Sequence, residues 1–263
     1  MALAWRLKIL CSSKSRINHD TMLTAWYKER KQQLDKSLAS TVRNGSMVNT
    51  KSVIKGFLRN WTLWCVQLVP SWKHDLERGP RADGSTQYTY LPDMPFMSDL
   101  NGGFCFPQTY CTKLSGAGLV HFTDDVIFAE GKETIFQIVV LLHGVDEFKS
   151  ARNDLDGIEG NDFLSPDDAT FFVPRMAISP SANDQKPDLV DTRLYRSANA
   201  EEFAQSNLCQ GRPLPYGYNE NLMWETMTGK RYVLLRPDKF VFAACSTKAE
   251  LEQAAQSLVK MFS

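Results

Sequence analysis

Apolar residues recur at steps of three and four through the first seventy positions. From about position 120 they fall in runs and alternations instead, and a stretch punctuated by proline and glycine lies between. Leu3, Leu7 and Leu10 predict a helix over residues 2–12 with one apolar side. Leu23, Trp26, Tyr27, Arg30, Leu34 and Leu38 predict a second helix, capped by Asn18 or Asp20 and stopped at Asn44-Gly45. Ile54, Phe57, Leu58, Trp61, Trp64, Cys65 and Leu68 form one face of a third helix over 50–68, which Pro70 should end.

Residues 71–119 read as a long irregular connection with short strands at 87–91 and 103–106, either wrapping the core or lining a site. Residues 126–129 and 134–142 read as strands, the second continuously apolar and therefore central. A short helix over 145–155, a strand over 169–174, an exposed loop over 179–192 and a helix over 200–206 follow. Strands over 231–236 and 239–244, joined at Pro237-Asp238, precede a helix opened by the capping box Thr247-Lys248-Ala249-Glu250. Leu251, Ala254, Ala255, Leu258 and Phe262 give that helix its apolar side. The fold class expected is α+β, N-terminal helices followed by a thioredoxin-like α/β domain. The expected divisions are 1–70 helical, 71–119 connecting and 120–263 α/β.

Composition narrows the function classes. The chain has 263 residues, net charge zero and 43% hydrophobic content, so a phosphate-binding basic stripe is not expected and nucleic acid is not an expected partner. The most apolar run, 61–69, is far shorter than the ~20 residues a spanning helix needs, and no membrane partner is expected. Six cysteines without a C-x-x-C pair and no clear secretory signal suggest reduced thiols and a cytoplasmic protein. The sequons at Asn44 and Asn60 are then chance matches.

Several constellations carry chemistry in other proteins, and each has a plainer reading. His121, Asp124, Asp125 and His143 read as turn aspartates and strand-edge histidines before they read as a metal set. His74-Asp75-Leu76-Glu77-Arg78 follows a helix end, where charges usually face water. Gly116-Ala117-Gly118 is a bare G-x-G outside any strand-turn-helix, so no dinucleotide cradle is expected. Cys105 and Cys111 can bridge if oxidised, but no base accompanies them. No G-x-S-x-G elbow occurs. Trp61, Trp64 and Trp72 are either core or an interface. Catalytic residues therefore remain unknown, and neither cofactor-binding nor metal-ligating residues are expected.

Three separated stretches carry a resemblance. Leu3-Ala4-Trp5-Arg6-Leu7, then Tyr27-Lys28-Glu29-Arg30-Lys31, then Arg236-Pro237-Asp238 resemble, in order and spacing, the last third of an FAD-dependent aromatic hydroxylase of the phenol hydroxylase type. The second stretch departs where Lys31 and Gln32 replace Arg and Pro of the family pattern. The resemblance implies hydroxylation of a phenolic compound with FAD and NAD(P)H, and a thioredoxin-like C-terminal domain without C-x-x-C. The family's flavin-binding Gly-Asp segment would lie before Met1, so the chain reads as a portion lacking the flavin fold and inactive without it. Its expected partners are a flavin-bearing domain or a second copy, with an aromatic small molecule as ligand. The alternatives are a free-standing, cofactor-free small-molecule binder or cyclase/isomerase, and a dimerisation module.

Overall fold

The computed structural model describes residues 2–11, 18–49, 51–78, 87–115, 118–178 and 193–262. Helix α1 spans Ala4–Leu10 and α2 spans His19–Val48. The Asn18 side chain, not that of Asp20, caps α2 by accepting from the Asp20 N–H. The expected stop at Asn44-Gly45 is overturned, because α2 runs through both residues and ends at Val48, with Asn49 as its C-cap. A glycine inside a helix costs only about 1 kcal/mol, and only past the last turn does it terminate one. Ser52 caps α3, Val53–Gln67, by accepting from the Lys55 N–H. Pro70 does not simply end this region. It opens a further helix, α4, Pro70–Arg78, because a first-turn position needs no N–H donor.

Among the described residues, those after α4 fold on one seven-stranded mixed sheet, so the protein is α+β. The strands are β1 Tyr110–Lys113, β2 Val120–Phe122, β3 Gln137–Leu141, β4 Thr170–Val173, β5 Leu194–Ser197, β6 Tyr232–Leu235 and β7 Val241–Cys245. Their order across the sheet is β2-β1-β5-β4-β3-β6-β7. β3, β4 and β5 run parallel, and the remaining pairs are antiparallel. β3 is fully buried at all five positions and sits between β4 and β6, as its unbroken apolar run predicts. Residues 126–129 are not a strand. Val126 and Ile127 belong to α5, Thr123–Ile127, whose apolar side turns into the core. The loop expected over 179–192 and the pair Gly116-Ala117 lie outside the described residues.

Alternate residues of β3 divide two apolar layers. Ile138 and Val140 pack with Phe148, Ala151 and Leu155 of α6, Phe148–Leu155, and with Leu251, Leu258 and Phe262 of α9, Lys248–Phe262. Val139 and Leu141 pack with α5 and with Met223 and Met227 at α8, Leu222–Thr226. Helix α7, Ala200–Gln205, carries a full capping box between Asn199 and Glu202. The β6–β7 hairpin turns through Lys239 at φ 70°, whose N–H donates to the Arg236 carbonyl.

Of the segment expected to be irregular, residues 87–106 wrap the core, whereas 71–78 are helical in α4 and 110–113 form β1 of the sheet. In place of the two expected strands the wrapping part makes isolated bridges, Gln87 to Phe104 and Cys105 to Phe240. Met97 and Gly103 donate to the carbonyls of Phe242 and Val241, and Val241 and Ala244 donate to those of Phe104 and Leu100. The outer edge of β7 is thereby covered rather than left open to pairing. Helix α2 holds the segment from outside. Gln32 exchanges two hydrogen bonds with the Thr89 backbone at 2.8 Å each, and Gln33 donates to the Tyr88 hydroxyl.

Gly102 is where this wrap is tightest. A Cβ there would lie 2.4 Å from the Phe242 carbonyl oxygen and 2.7 Å from that of Met97, both backbone atoms that cannot swing away. Gly102→Ala is therefore expected to cost about 1–3 kcal/mol, as overpacking that shifts backbone does. The measurement is the urea unfolding midpoint, and an unchanged midpoint would show that the wrap gives way freely.

Candidate functional site

The three stretches that carry the family resemblance converge on one buried cluster of charges. Arg6 comes from α1, Glu29 from α2, and Arg236 and Asp238 from the β6–β7 hairpin. Arg6 Nη2 donates to Glu29 Oε2 at 2.7 Å. Arg236 donates through Nη1 and Nη2 to both oxygens of Glu29, at 2.7 and 3.0 Å. Its Nε and Nη2 also reach the two oxygens of Asp238, at 3.0 and 2.7 Å. Trp5 Nε1 donates to Asp238 Oδ2 at 3.0 Å. The Arg6 and Arg236 side chains are 0% exposed and that of Glu29 is 1% exposed. Two guanidinium groups face two carboxylates, so the cluster is neutral as a whole.

Aromatic rings seal it. The guanidinium carbons of Arg6 and Arg236 lie 4.4 and 5.3 Å from the Trp5 ring, and Arg236 also lies 5.3 Å from the Phe240 ring. Trp5 also meets Phe136 and Phe262 edge-on. The forked geometry of Arg236 suits two carboxylates at once, which a lysine could not bridge.

Burial alone would raise the Asp238 carboxyl, but Arg236 and the hydrogen bonds from Arg236 and Trp5 outweigh it. The pKa lies below the ordinary carboxylate range. Burial and the neighbouring Arg236 charge lower the Arg6 pKa. Burial also opposes the Arg236 charge, yet Asp238 and Glu29 more than offset this and its pKa is raised.

A depressed folded-state pKa means that Asp238 contributes its stability above the unfolded value, about 3.9, and loses it as pH falls through the folded value. We expect the unfolding midpoint to drop on acidification below about pH 4, with a shallower drop in Asp238→Asn. Parallel curves for the two proteins would show that Asp238 does not carry the acid sensitivity.

Beside the cluster lies a half-open cleft of about 690 Å³. Tyr88, Tyr90, Phe96, Phe104 and Met227 line it, with Lys36 and Lys230 at its walls. Burial and nearby Glu29 push the Tyr88 hydroxyl up to about 12, so it stays a neutral phenol. Lys36 donates to the Gln87 carbonyl and Lys230 lies 3.8 Å from Glu250, so both amines are engaged.

The other residues singled out in the sequence stay apart. His121 sits in β2 and Asp124 and Asp125 in the first turn of α5, while His143 follows β3. Asp124 pairs with Lys239 and accepts from Gln108. Among the described residues no group of three or more His, Cys, Asp or Glu is placed to hold a metal. The His74 ring lies 4.7 Å from that of Tyr216. All six cysteines are free, and burial pushes the Cys105 and Cys111 thiols up, away from the reactive thiolate. Lys132 is pushed down to about 8 by burial, but its amine donates to the Ile127 carbonyl and the Thr170 hydroxyl.

Among the described residues no strand-turn-helix carries the glycine pattern of a dinucleotide cradle. Acids stand at the start of three helices, Asp124 and Asp125 at α5, Asp146 and Glu147 just before α6, and Glu201 and Glu202 at α7, whereas α9 opens on Lys248. Negative charge at a helix N-terminus disfavours a bound phosphate there. No family model matches the chain, and no curated protein matches it.

Proposed function

We propose that this chain is the C-terminal portion of an FAD-dependent aromatic hydroxylase of the phenol hydroxylase type, and that it works only with a flavin-bearing domain. The observation that carries this reading is the convergence of Trp5, Arg6, Glu29, Arg236 and Asp238. The three stretches that resemble the family meet in one neutral, fully buried set of contacts. Three separate stretches meeting at one joint form a more specific signal than any of them alone. On this reading the cluster is a positioning device that clamps α1 and α2, the elements nearest the flavin domain, onto the α/β layer. Hydroxylation takes place on the partner domain's flavin, and no residue of this chain is assigned a step in it.

The thioredoxin-like character of the layer has support in its topology. β3, α6 and parallel β4 are followed by the antiparallel β6–β7 pair and α9, and these four strands lie adjacent in the order β4-β3-β6-β7. Helices α6 and α9 share one face, with α8 on the other.

The cleft favours a second reading, in which the chain binds a small aromatic molecule without any cofactor. Its aromatic lining and neutral Tyr88 phenol suit a planar ligand with a polar edge. The experiment that separates the two is the 5′ end of the transcript. An upstream in-frame strand followed by G-x-G-x-x-G supports the hydroxylase reading. A message that begins just before Met1 removes it and leaves the binding reading in front.

A further inference from the structure

Helix α3 contributes no buried residue to the fold. Ile54, Phe57, Leu58, Trp61, Trp64 and Leu68 are each more than half exposed, with Phe57 at 68% and Trp61 at 59%. On a helix of 3.6 residues per turn they fall within an arc of roughly 120°. Trp72 of α4 adds a third exposed tryptophan. α3 is tied to α2 by Arg59, which donates to the carbonyls of Met47 and Val48.

The charge around this stripe is one-sided. Between Lys36 and His74 the chain carries Lys36, Arg43, Lys51, Lys55, Arg59 and Lys73 and not one Asp or Glu, although the whole chain is neutral. Asp35 precedes this window and Asp75 and Glu77 follow it in α4, so the stretch between them is the cationic part. On α3 itself, Lys55 and Arg59 fall outside the apolar arc.

We propose that α3 and the start of α4 lie in the plane of an anionic lipid surface. Tryptophan, phenylalanine and leucine on one face with cations on the other, and no acid, is the composition of a helix that sits at the headgroup boundary. The indole ring suits that boundary, since its body is apolar and its N–H polar. No helix among the described residues is long and apolar enough to cross a membrane, so the contact is peripheral. The sequence-based expectation of no membrane partner rested only on the absence of a spanning run, and this proposal departs from it, since a helix can lie on a bilayer it cannot span. A second copy of the chain is a poorer occupant. A two-fold contact through α3 would bring the Lys55 and Arg59 charges of one copy toward those of the other, and α3 carries no acid of its own to offset them.

The test is cosedimentation of the purified chain with phosphatidylcholine vesicles and with vesicles of phosphatidylcholine and phosphatidylserine in a two-to-one mixture. Binding is expected to be about tenfold or more tighter to the anionic vesicles and to weaken with added salt. Trp61→Ser with Trp64→Ser should abolish it, and Lys51→Glu with Lys55→Glu should remove the preference for anionic lipid. All four side chains are exposed, so helical circular dichroism should stay unchanged. Binding to neither vesicle, equal binding to both, or binding that ignores both double variants overturns the proposal. So does a chain whose α3 tryptophans prove to be covered by a second copy or by an acidic protein while vesicles are ignored.

Discussion

Glu29→Ala is expected to destabilise the fold by about 3–5 kcal/mol. Glu29 accepts from Arg6 once and from Arg236 twice, and all three side chains are shut off from water. Removing the carboxylate leaves two guanidinium groups buried against one remaining acid, Asp238. An uncompensated buried charge costs more than the pair contributed. The control is Arg6→Met combined with Glu29→Met. It removes one charge of each sign and leaves the neutral Arg236–Asp238 pair, so it should lose less than Glu29→Ala alone despite carrying two changes. Urea unfolding of both proteins checks this. A double variant that loses the sum of its single changes would show that charge balance is not what makes Glu29 matter.

Trp5→Ala is expected to cost a comparable amount, about 3–5 kcal/mol. The ring is 4% exposed and meets Phe136 and Phe262 edge-on as well as both guanidinium groups. Its loss opens a cavity where α1 enters the α/β core, and it takes away a donor to Asp238. Trp5→Phe keeps the ring but not the donor, and should lose only about 1 kcal/mol. A Trp5→Ala midpoint as close to wild type as that of Trp5→Phe would mean that α1 is a loosely attached segment. The cluster would then not clamp the helices to the layer.

The parts of this fold that the sequence makes legible are those whose local signals agree. In β3 an unbroken run of Ile, Val and Leu has no exposed position to interrupt it. In β6, β7 and α9, a Pro-Asp turn, strand-length apolar runs and a cap follow one another, and the Thr247 hydroxyl and Glu250 carboxylate make the capping contacts. β1, β2 and β5 are three or four residues long, too short to display a period. They are strands because the sheet extends past β4 and pairs them. The run of residues 126–129 is ambiguous by composition alone. Thr123, Asp124 and Asp125, which favour a first helical turn, decide it.

The charge cluster was half visible. Its residues stand inside the three stretches that carry the resemblance, but nothing local distinguishes Glu29 or Arg236 from any surface charge. Their partners lie 207 positions apart. Burial at that range is a property of the closed fold, and the same holds for the cleft, whose walls come from α2, the wrapping segment and the turn after α8.

The most direct test of the functional account is the flavin content of the native protein. An antibody raised against the folded chain would recover it from its source, and the recovered material would be assayed for acid-released FAD and for phenol-dependent NAD(P)H oxidation. The account predicts one FAD per chain, on the same polypeptide or a tightly bound partner, with a hydroxylated product. A flavin-free protein of 29.8 kDa that consumes no NAD(P)H would contradict it.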